Sequence, residues 1–339
     1  MRVFIWATLF AIGVWLLGLI IWTGELRQET NSLANSANTF SVAVNQLQDN
    51  IRRNAPTSTL IFVGDIMLSR NVGTKMEKLG DWEFPFKKIK KYLSGADFVF
   101  GNLEGPISNR GNNQGSIYSF RADPRAVLGL RAAGIDVVSL ANNHIWDWGA
   151  EALVDTVEVL KEADIVSLGA GVNKKEANSG NIFKVNGTKI GFLAYTDLYP
   201  KSLIANEENP GISDWNEDQV LSDIKRLKAE SDLLFVSWHT GTEYEQIPNP
   251  QQREIYRGLI EKGVDLVIGH HPHVTQTIEE YGGGWIAYSL GNFIFDQPFS
   301  KNTMEGMVLE VLVRNGKITK VEAKKVILNQ DFQPSLEGI

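Results

Sequence analysis

Asp97-Phe98-Val99-Phe100, Asp136-Val137-Val138-Ser139, Asp232-Leu233-Leu234-Phe235 and Asp265-Leu266-Val267-Ile268 share one pattern: each opens with Asp, continues as an apolar run and follows a helical segment. A strand with one wet face alternates polar and apolar residues, so an unbroken run has to be buried on both faces. Strands of that kind need a sheet covered by helices. A fifth run, Leu60-Ile61-Phe62-Val63, opens the series and ends in Gly64-Asp65. Helical periodicity is expected at 85–93, 123–133, 150–163, 216–230 and 251–262, several of these segments closing with Gly or a turn residue. Hairpins turning at Asn186-Gly187 and Asn315-Gly316 add antiparallel strands. The expected class is α/β with a mixed sheet.

The chain does not begin with this pattern. Residues 3–22 carry no charge, about the length a helix needs to cross a bilayer. Arg2 precedes the run, while Glu25 and Arg27 cancel after it, which favours a cytoplasmic N-terminus and an exported remainder. A cleaved signal peptide is the alternative, but no small-x-small site follows closely at Thr23-Gly24-Glu25. A buried core helix fits poorly with tryptophans at both ends and apolar residues on every face. The expected organisation is a transmembrane anchor over 1–24, a polar stalk over 25–57 rich in Asn, Ser, Gln and Thr, a folded domain over 58–330 and a tail over 331–339. The protein is thus expected at the cell membrane, single-pass, with its large domain extracytoplasmic.

Polar residues gather just beyond the buried runs: Asp65 after the first, Asn102 and Glu104 after the second, Asn142, Asn143 and His144 after the third. His239 follows the fourth, and His270, His271 and His273 follow the fifth. Ligands of open α/β sheets bind at the carboxyl ends of strands, so these groups should meet in one crevice. All five histidines of the chain are among them. A lone histidine is more often a hydrogen-bonded structural residue than a ligand, but five converging with carboxylates and amides make an N and O set suited to Mn, Fe, Zn or a similar divalent ion. One or two ions are expected. The absence of cysteine excludes disulfides and zinc-thiolate sites.

These segments also resemble a known family. Gly64-Asp65-Ile66-Met67-Leu68-Ser69-Arg70, Gly101-Asn102-Leu103-Glu104-Gly105-Pro106 and Ser139-Leu140-Ala141-Asn142-Asn143-His144-Ile145-Trp146-Asp147-Trp148-Gly149 look like successive signatures of the CapA proteins of capsule and poly-γ-glutamate biosynthesis. His239-Thr240-Gly241-Thr242-Glu243-Tyr244, Gly269-His270-His271-Pro272-His273-Val274 and Ser289-Leu290-Gly291-Asn292-Phe293-Ile294-Phe295-Asp296 continue the series in order. That family is related to the calcineurin-like metallophosphoesterases, which implies a metallophosphoesterase-like layered α/β fold with central mixed β-sheets flanked by helices. The resemblance implies that Asp65 is the first metal-binding Asp and Glu104 the bridging carboxylate, with Asn102 as its rival. It further implies that Asn143, His239 and His271 bind the second metal, His273 the first, and that His144 is the free acid or oxyanion-stabilising group. The superfamily's His two residues after the first Asp is replaced by Met67, which leaves the first site one ligand short. His270, Asn142, Asp147, Asn292 and Asp296 are read as groups that orient ligands, or as purely structural ones. Arg70 either meets an anionic substrate or makes a surface salt bridge.

Three functions follow as expectations: a capsule or polyglutamate synthesis or export factor working with other such proteins, a metal-dependent phosphoesterase of cell-envelope substrates, and a metal-stabilised scaffold without turnover. A net charge of -7 argues against a nucleic-acid partner. Lys87, Lys88, Lys90 and Lys91 read as the solvated face of a short helix, and Gly282-Gly283-Gly284 as a hairpin turn, since no phosphate-loop Lys-Ser/Thr follows.

Overall fold

A computed structural model describes the backbone of residues 2–54 and 56–338, and the side chains of 12–24, 27–33, 35–46 and 56–338. The chain divides into two compact units, Met1–Ala55 and Pro56–Ile339. The first is one helix, α1 (Arg2–Asn54), so the expected stalk is helical and continuous with the apolar run. Among the described residues no helix is long and apolar enough to cross a membrane. The expected span is therefore not found, and the side chains of its first half, 3–11, lie outside the described residues.

Among the described residues the second unit has sixteen strands: β1 (Ser58–Ile66), β2 (Phe98–Leu103), β3 (Val137–Ser139), β4 (Val166–Leu168), β5 (Ala170–Gly171), β6 (Asn181–Val185), β7 (Thr188–Thr196), β8 (Gly211–Ile212), β9 (Leu233–His239), β10 (Leu266–His270), β11 (Ile278–Tyr281), β12 (Gly284–Ala287), β13 (Asn292–Ile294), β14 (Glu305–Arg314), β15 (Lys317–Leu328) and β16 (Pro334–Leu336). One sheet runs β16-β15-β14-β1-β2-β3-β4, with β13 also paired to β1; a second runs β11-β12-β10-β9-β7-β6, and β5 and β8 pair as a small third. The two large sheets have parallel runs, β1-β2-β3-β4 and β7-β9-β10-β12; antiparallel β14, β15 and β16 extend one side of the first, and antiparallel β6 and β11 edge the second. Both expected hairpins are present, with Asn186, Gly187, Asn315 and Gly316 at positive φ, as tight hairpin turns require. Strand β16 pairs with β15 inside the stretch expected to be a tail, because Leu336 and Leu328 still have core to cover.

Alternation along the strands builds the layers. Leu60, Phe62, Phe98 and Phe100 of the first sheet meet Phe192, Leu233, Phe235, Leu266 and Ile268 of the second in a core between the sheets. Phe192 touches the rings of Phe62, Phe98, Phe100, Phe183 and Phe235, with centroids 5.2 to 6.1 Å away. The intervening residues Ile61, Val63, Val99 and Val138 pack under the helices of the first sheet: α2 (Arg70–Leu79), α3 (Lys90–Leu93), α4 (Val127–Ala132) and α5 (Gly149–Glu162). A short helix, α6 (Lys174–Asn178), packs beside β5. Leu234, Val236 and Val267 pack under α7 (Glu217–Lys228) and α8 (Pro250–Glu261).

Helix α8 starts where expected because Asn249 and Gln252 form a reciprocal cap and Pro250 fits the first turn. The expected helices at 85–93 and 123–133 are shorter, each split into a 3₁₀ turn, Phe84–Phe86 or Pro124–Ala126, and a few α-helical residues. The helix α2 was not expected, although Val72, Met76 and Leu79 recur at i, i+4 and i+7 on one face. The Asp that opens each buried run has a structural reason. The carboxylates of Asp97, Asp136, Asp232 and Asp265 each accept a 2.8 Å hydrogen bond from the backbone N–H of Thr59, Val99, Lys189 and Leu234, in the neighbouring strand or beside its start.

Candidate metal centre

The core between the sheets opens at the carboxyl ends of the parallel strands, and there its inward rows turn polar. Phe98 and Phe100 lead to Asn102, Leu233 and Phe235 to His239, and Leu266 and Ile268 to His270. On β1 simple alternation would send Asp65 to the helix side. A bulge between Phe62 and Asp65 places three residues of β1 against two of β2, so Asp65 pairs with Asn102 and joins the inward face. Gly64 permits this approach: a Cβ there would lie 1.9 Å from the Gly291 carbonyl oxygen, to which the Asp65 N–H donates at 3.0 Å.

The two polar rows then bond across the sheets. Asp65 Oδ1 accepts from Asn102 Nδ2 at 2.9 Å and lies 3.1 Å from His270 Nδ1, while Asp65 Oδ2 lies 3.3 Å from His273 Nδ1. The Asn102 amide also reaches Glu104 Oε2 and His239 Nδ1, both at 3.3 Å, and Asn142 holds Asn102 from behind at 3.2 Å. His239 Nε2 lies 2.8 Å from Asn143 Oδ1. His273 Nδ1 is also 3.0 Å from Asn292 Oδ1, and its Nε2 is 3.6 Å from Glu104 Oε1. His271 and His273 have φ of 98° and 57°, a left-handed conformation that costs on the order of 1–3 kcal/mol at a non-glycine residue and clusters at functional sites.

His144 stands beside this group. Its Nδ1 is 2.7 Å from Asp147 Oδ2, its Nε2 is 3.9 Å from Glu104 Oε1, and its ring stacks on Phe120 at 3.9 Å. Asp147 is fixed in turn by the Ser116 hydroxyl at 2.7 Å and the Phe120 N–H at 2.8 Å. Arg70 pairs at 3.2 Å with buried Asp296 and lies 5.5 Å from the centre of the same Phe120 ring.

The electrostatics follow from burial and proximity. Burial alone would raise the Asp65 carboxyl, but hydrogen bonds and charge from His270 and His273 outweigh it and hold it well below the usual carboxylate range. Burial pushes Glu104 well above that range against the pull of His273, with the Asp65 charge adding to the rise. Burial keeps His239 well below its ordinary value and pushes His271 down to about 3, in each case helped by a neighbouring histidine. Burial works against charge on His273 as well, yet Glu104 and Asp65 raise it to about 9.

These residues fit divalent ions. The ligand atoms of Asp65, Glu104 and His239 lie within 4.8 Å of one another, and so do those of Glu243, His271 and His273. Glu104 Oε1 and His271 Nδ1 are buried without a hydrogen-bond partner, a costly state that a cation would relieve. In these two sets His239 sits with Asp65 and His273 with His271, while the expected neighbours Asp65 and His273, and Asn143 and His239, are also in contact, at 3.3 and 2.8 Å. Glu243 was missed, although a carboxylate four residues beyond His239 in the same loop was a usable signal. Phe120 and Ser116, which hold His144 and Asp147, come from a segment without any motif. Met67 packs in the core under the helices of the first sheet, and its sulfur accepts from the Ser69 N–H and hydroxyl at 3.2 and 3.0 Å.

Residues 59–297 match the profile of a family described as bacterial capsule synthesis protein PGA_cap. The chain belongs to that family. It is 36% identical over 266 residues to the capsule biosynthesis protein CapA of Bacillus anthracis, an alignment spanning 76% of this chain but only 64% of that relative's length. It is 33% identical to the PGA biosynthesis protein CapA of Bacillus subtilis, over 75% of this chain and 68% of the relative. Among solved structures, a 5'-nucleotidase precursor from Thermus thermophilus superposes with a TM-score of 0.50 at 13% identity, covering 83% of this chain and 56% of that one. At that identity the likeness shows the fold alone: this PGA_cap chain shares the layered α/β fold of that structure.

Proposed function

We propose that the protein is a membrane-anchored factor of capsule or poly-γ-glutamate synthesis or export whose folded domain hydrolyses a phosphoester with the help of divalent ions. The observation that carries the chemistry is the convergence of Asp65, Glu104, Asn143, His239, His271 and His273 on one crevice with two ligand atoms left without partners. Asp65, Glu104 and His239 would hold one ion, and His271, His273 and Glu243 a second. Bound ions of this kind polarise a phosphoryl oxygen and lower the pKa of water. Asp147 fixes the His144 ring so that Nε2 faces the crevice, where it can give a proton to the departing oxygen or stabilise its charge. Arg70, held by Asp296, supplies a cation for the anionic substrate.

Metal analysis of the full chain in detergent, followed by turnover of a panel of phosphomonoesters and phosphodiesters, tests this reading. Two bound ions with turnover support it, and a chain that binds no ion overturns it. One ion without turnover would favour the scaffold, the reading that Met67 in place of a histidine supports.

The anchor rests on the uncharged run 3–22 and the charges around it. A reporter enzyme fused to the C-terminus is expected to be active only outside the cytoplasm. Activity of a cytoplasmic reporter, or a mature protein lacking residues 3–22, would rule the anchored topology out.

A further inference from the structure

Beside the metal crevice two aromatic rings in contact with each other face solvent. Tyr244 is 42% exposed and Phe299 63%, and they meet at 87° with ring centres 5.1 Å apart. Isolated exposed apolar residues need no explanation, but this pair is built into the site. Tyr244 follows Glu243 in the chain, and its ring centre lies 6.2 Å from that of His273. Its backbone N–H donates to the Pro272 carbonyl at 2.8 Å, and its φ is 65°, a left-handed conformation that is strained at a tyrosine and clusters at functional sites. Two buried amides tie its hydroxyl to His273. Gln297 Nε2 donates to the Tyr244 hydroxyl at 3.4 Å, Asn292 Nδ2 donates to Gln297 Oε1 at 3.0 Å, and Asn292 Oδ1 lies 3.0 Å from His273 Nδ1. The exposed ring and the ligand histidine therefore keep a fixed separation.

We propose that Tyr244 and Phe299 are the platform for the non-phosphate part of the substrate, and that this part is a ring with an apolar face, aromatic or sugar-like. The inference rests on the phosphoester reading and narrows its substrate class. A rigid ring laid on exposed aromatic rings takes apolar surface of both partners out of water and has few rotatable bonds to immobilise. A bare phosphate or a methyl ester would reach the ions and leave both rings wet. With its phosphate on the ions and its ring on Tyr244, the substrate is held at two ends, which fixes the bond between them for attack.

Phosphonates have no ester bond between the ring and phosphorus, so they read binding apart from turnover. Calorimetric titration of the full chain in detergent with Mn²⁺ compares methyl-, phenyl-, cyclohexyl- and hexylphosphonate. Phenylphosphonate should bind about tenfold more tightly than methylphosphonate, the gain of one good aromatic contact. Hexylphosphonate should fall between them, because its chain loses freedom when held. Cyclohexylphosphonate separates the two kinds of ring: binding equal to phenylphosphonate marks a sugar-like ring, and binding several-fold weaker marks an aromatic one. Tyr244→Ala should bring the phenyl-to-methyl ratio from about tenfold to near one, and Phe299→Ala should lower it several-fold. The ratio cancels any change in metal content, since methylphosphonate reads the ions alone. The platform is overturned if the wild type shows no ring preference, if hexylphosphonate binds as tightly as phenylphosphonate, or if either variant keeps the full ratio. Methylphosphonate binding without a ring preference overturns the platform alone, whereas a chain that binds no phosphonate in Mn²⁺ overturns the phosphoester reading with it.

Discussion

His144 and His271 occupy one crevice but are held in different ways. His144 is clamped by Asp147 and Phe120 with Nε2 facing inward, whereas His271 presents a buried nitrogen with no partner. His144→Ala should therefore leave metal content nearly intact and lower any phosphoesterase rate by roughly 10²- to 10⁴-fold, the usual loss for a general acid or base. His271→Ala should lose metal first. Metal content and rate measured on both variants decide the point, and a fully active His144→Ala protein would refute the role. His273 makes a second difference measurable. Raised to about 9 by Glu104 and Asp65, it carries a proton at pH 7 in the metal-free protein, and a ligating nitrogen must lose it. Metal binding at pH 7 should release at least one proton, and affinity should climb as pH approaches 9. Calorimetry in buffers of different ionisation enthalpy reads the number of protons, and zero would show that His273 stays outside the coordination sphere.

At the scale of the element, the Asp that opens each buried run ties its strand to a neighbour. Asp265 accepts from the Leu234 N–H at 2.8 Å and pairs with Lys228 at 2.6 Å. Asp265→Ala leaves the N–H of a fully buried residue without its acceptor and should cost about 1–3 kcal/mol, read as a lower denaturant midpoint with an unchanged slope. Asp265→Asn keeps an acceptor oxygen and should lose less. The same elements show where sequence reading stopped. The buried runs, the hairpins and the longer helices were legible because burial on both faces, Asn-Gly turns and caps are local chemistry. The bulge in β1 was not legible, because it answers to the approach of β13 from more than two hundred residues away.

At the scale of the molecule, the two sheets are joined through phenylalanine. Phe192 is fully buried and touches five other rings drawn from both sheets. Phe192→Ala should destabilise the domain by about 3–5 kcal/mol. Because the crevice is the open end of this core, the variant should also bind metal more weakly under native conditions. Chemical denaturation and metal titration of one preparation test both effects, and a loss well under 1 kcal/mol would show that the sheets are held together elsewhere.

The sequence alone determined that the fold is a helix-covered α/β sheet system and that the chemistry gathers at the ends of its buried strands. Both follow from local rules: apolar runs must be buried, and polar groups that end such runs must find partners. The tertiary structure decided how those polar groups are shared out. It turned Asp65 inward through a bulge, set the Asn102 amide among Asp65, Glu104 and His239, and brought Glu243 to His271 and His273. The phase of a strand and the meeting of two sheets depend on contacts distant in the chain, and no local pattern encodes them.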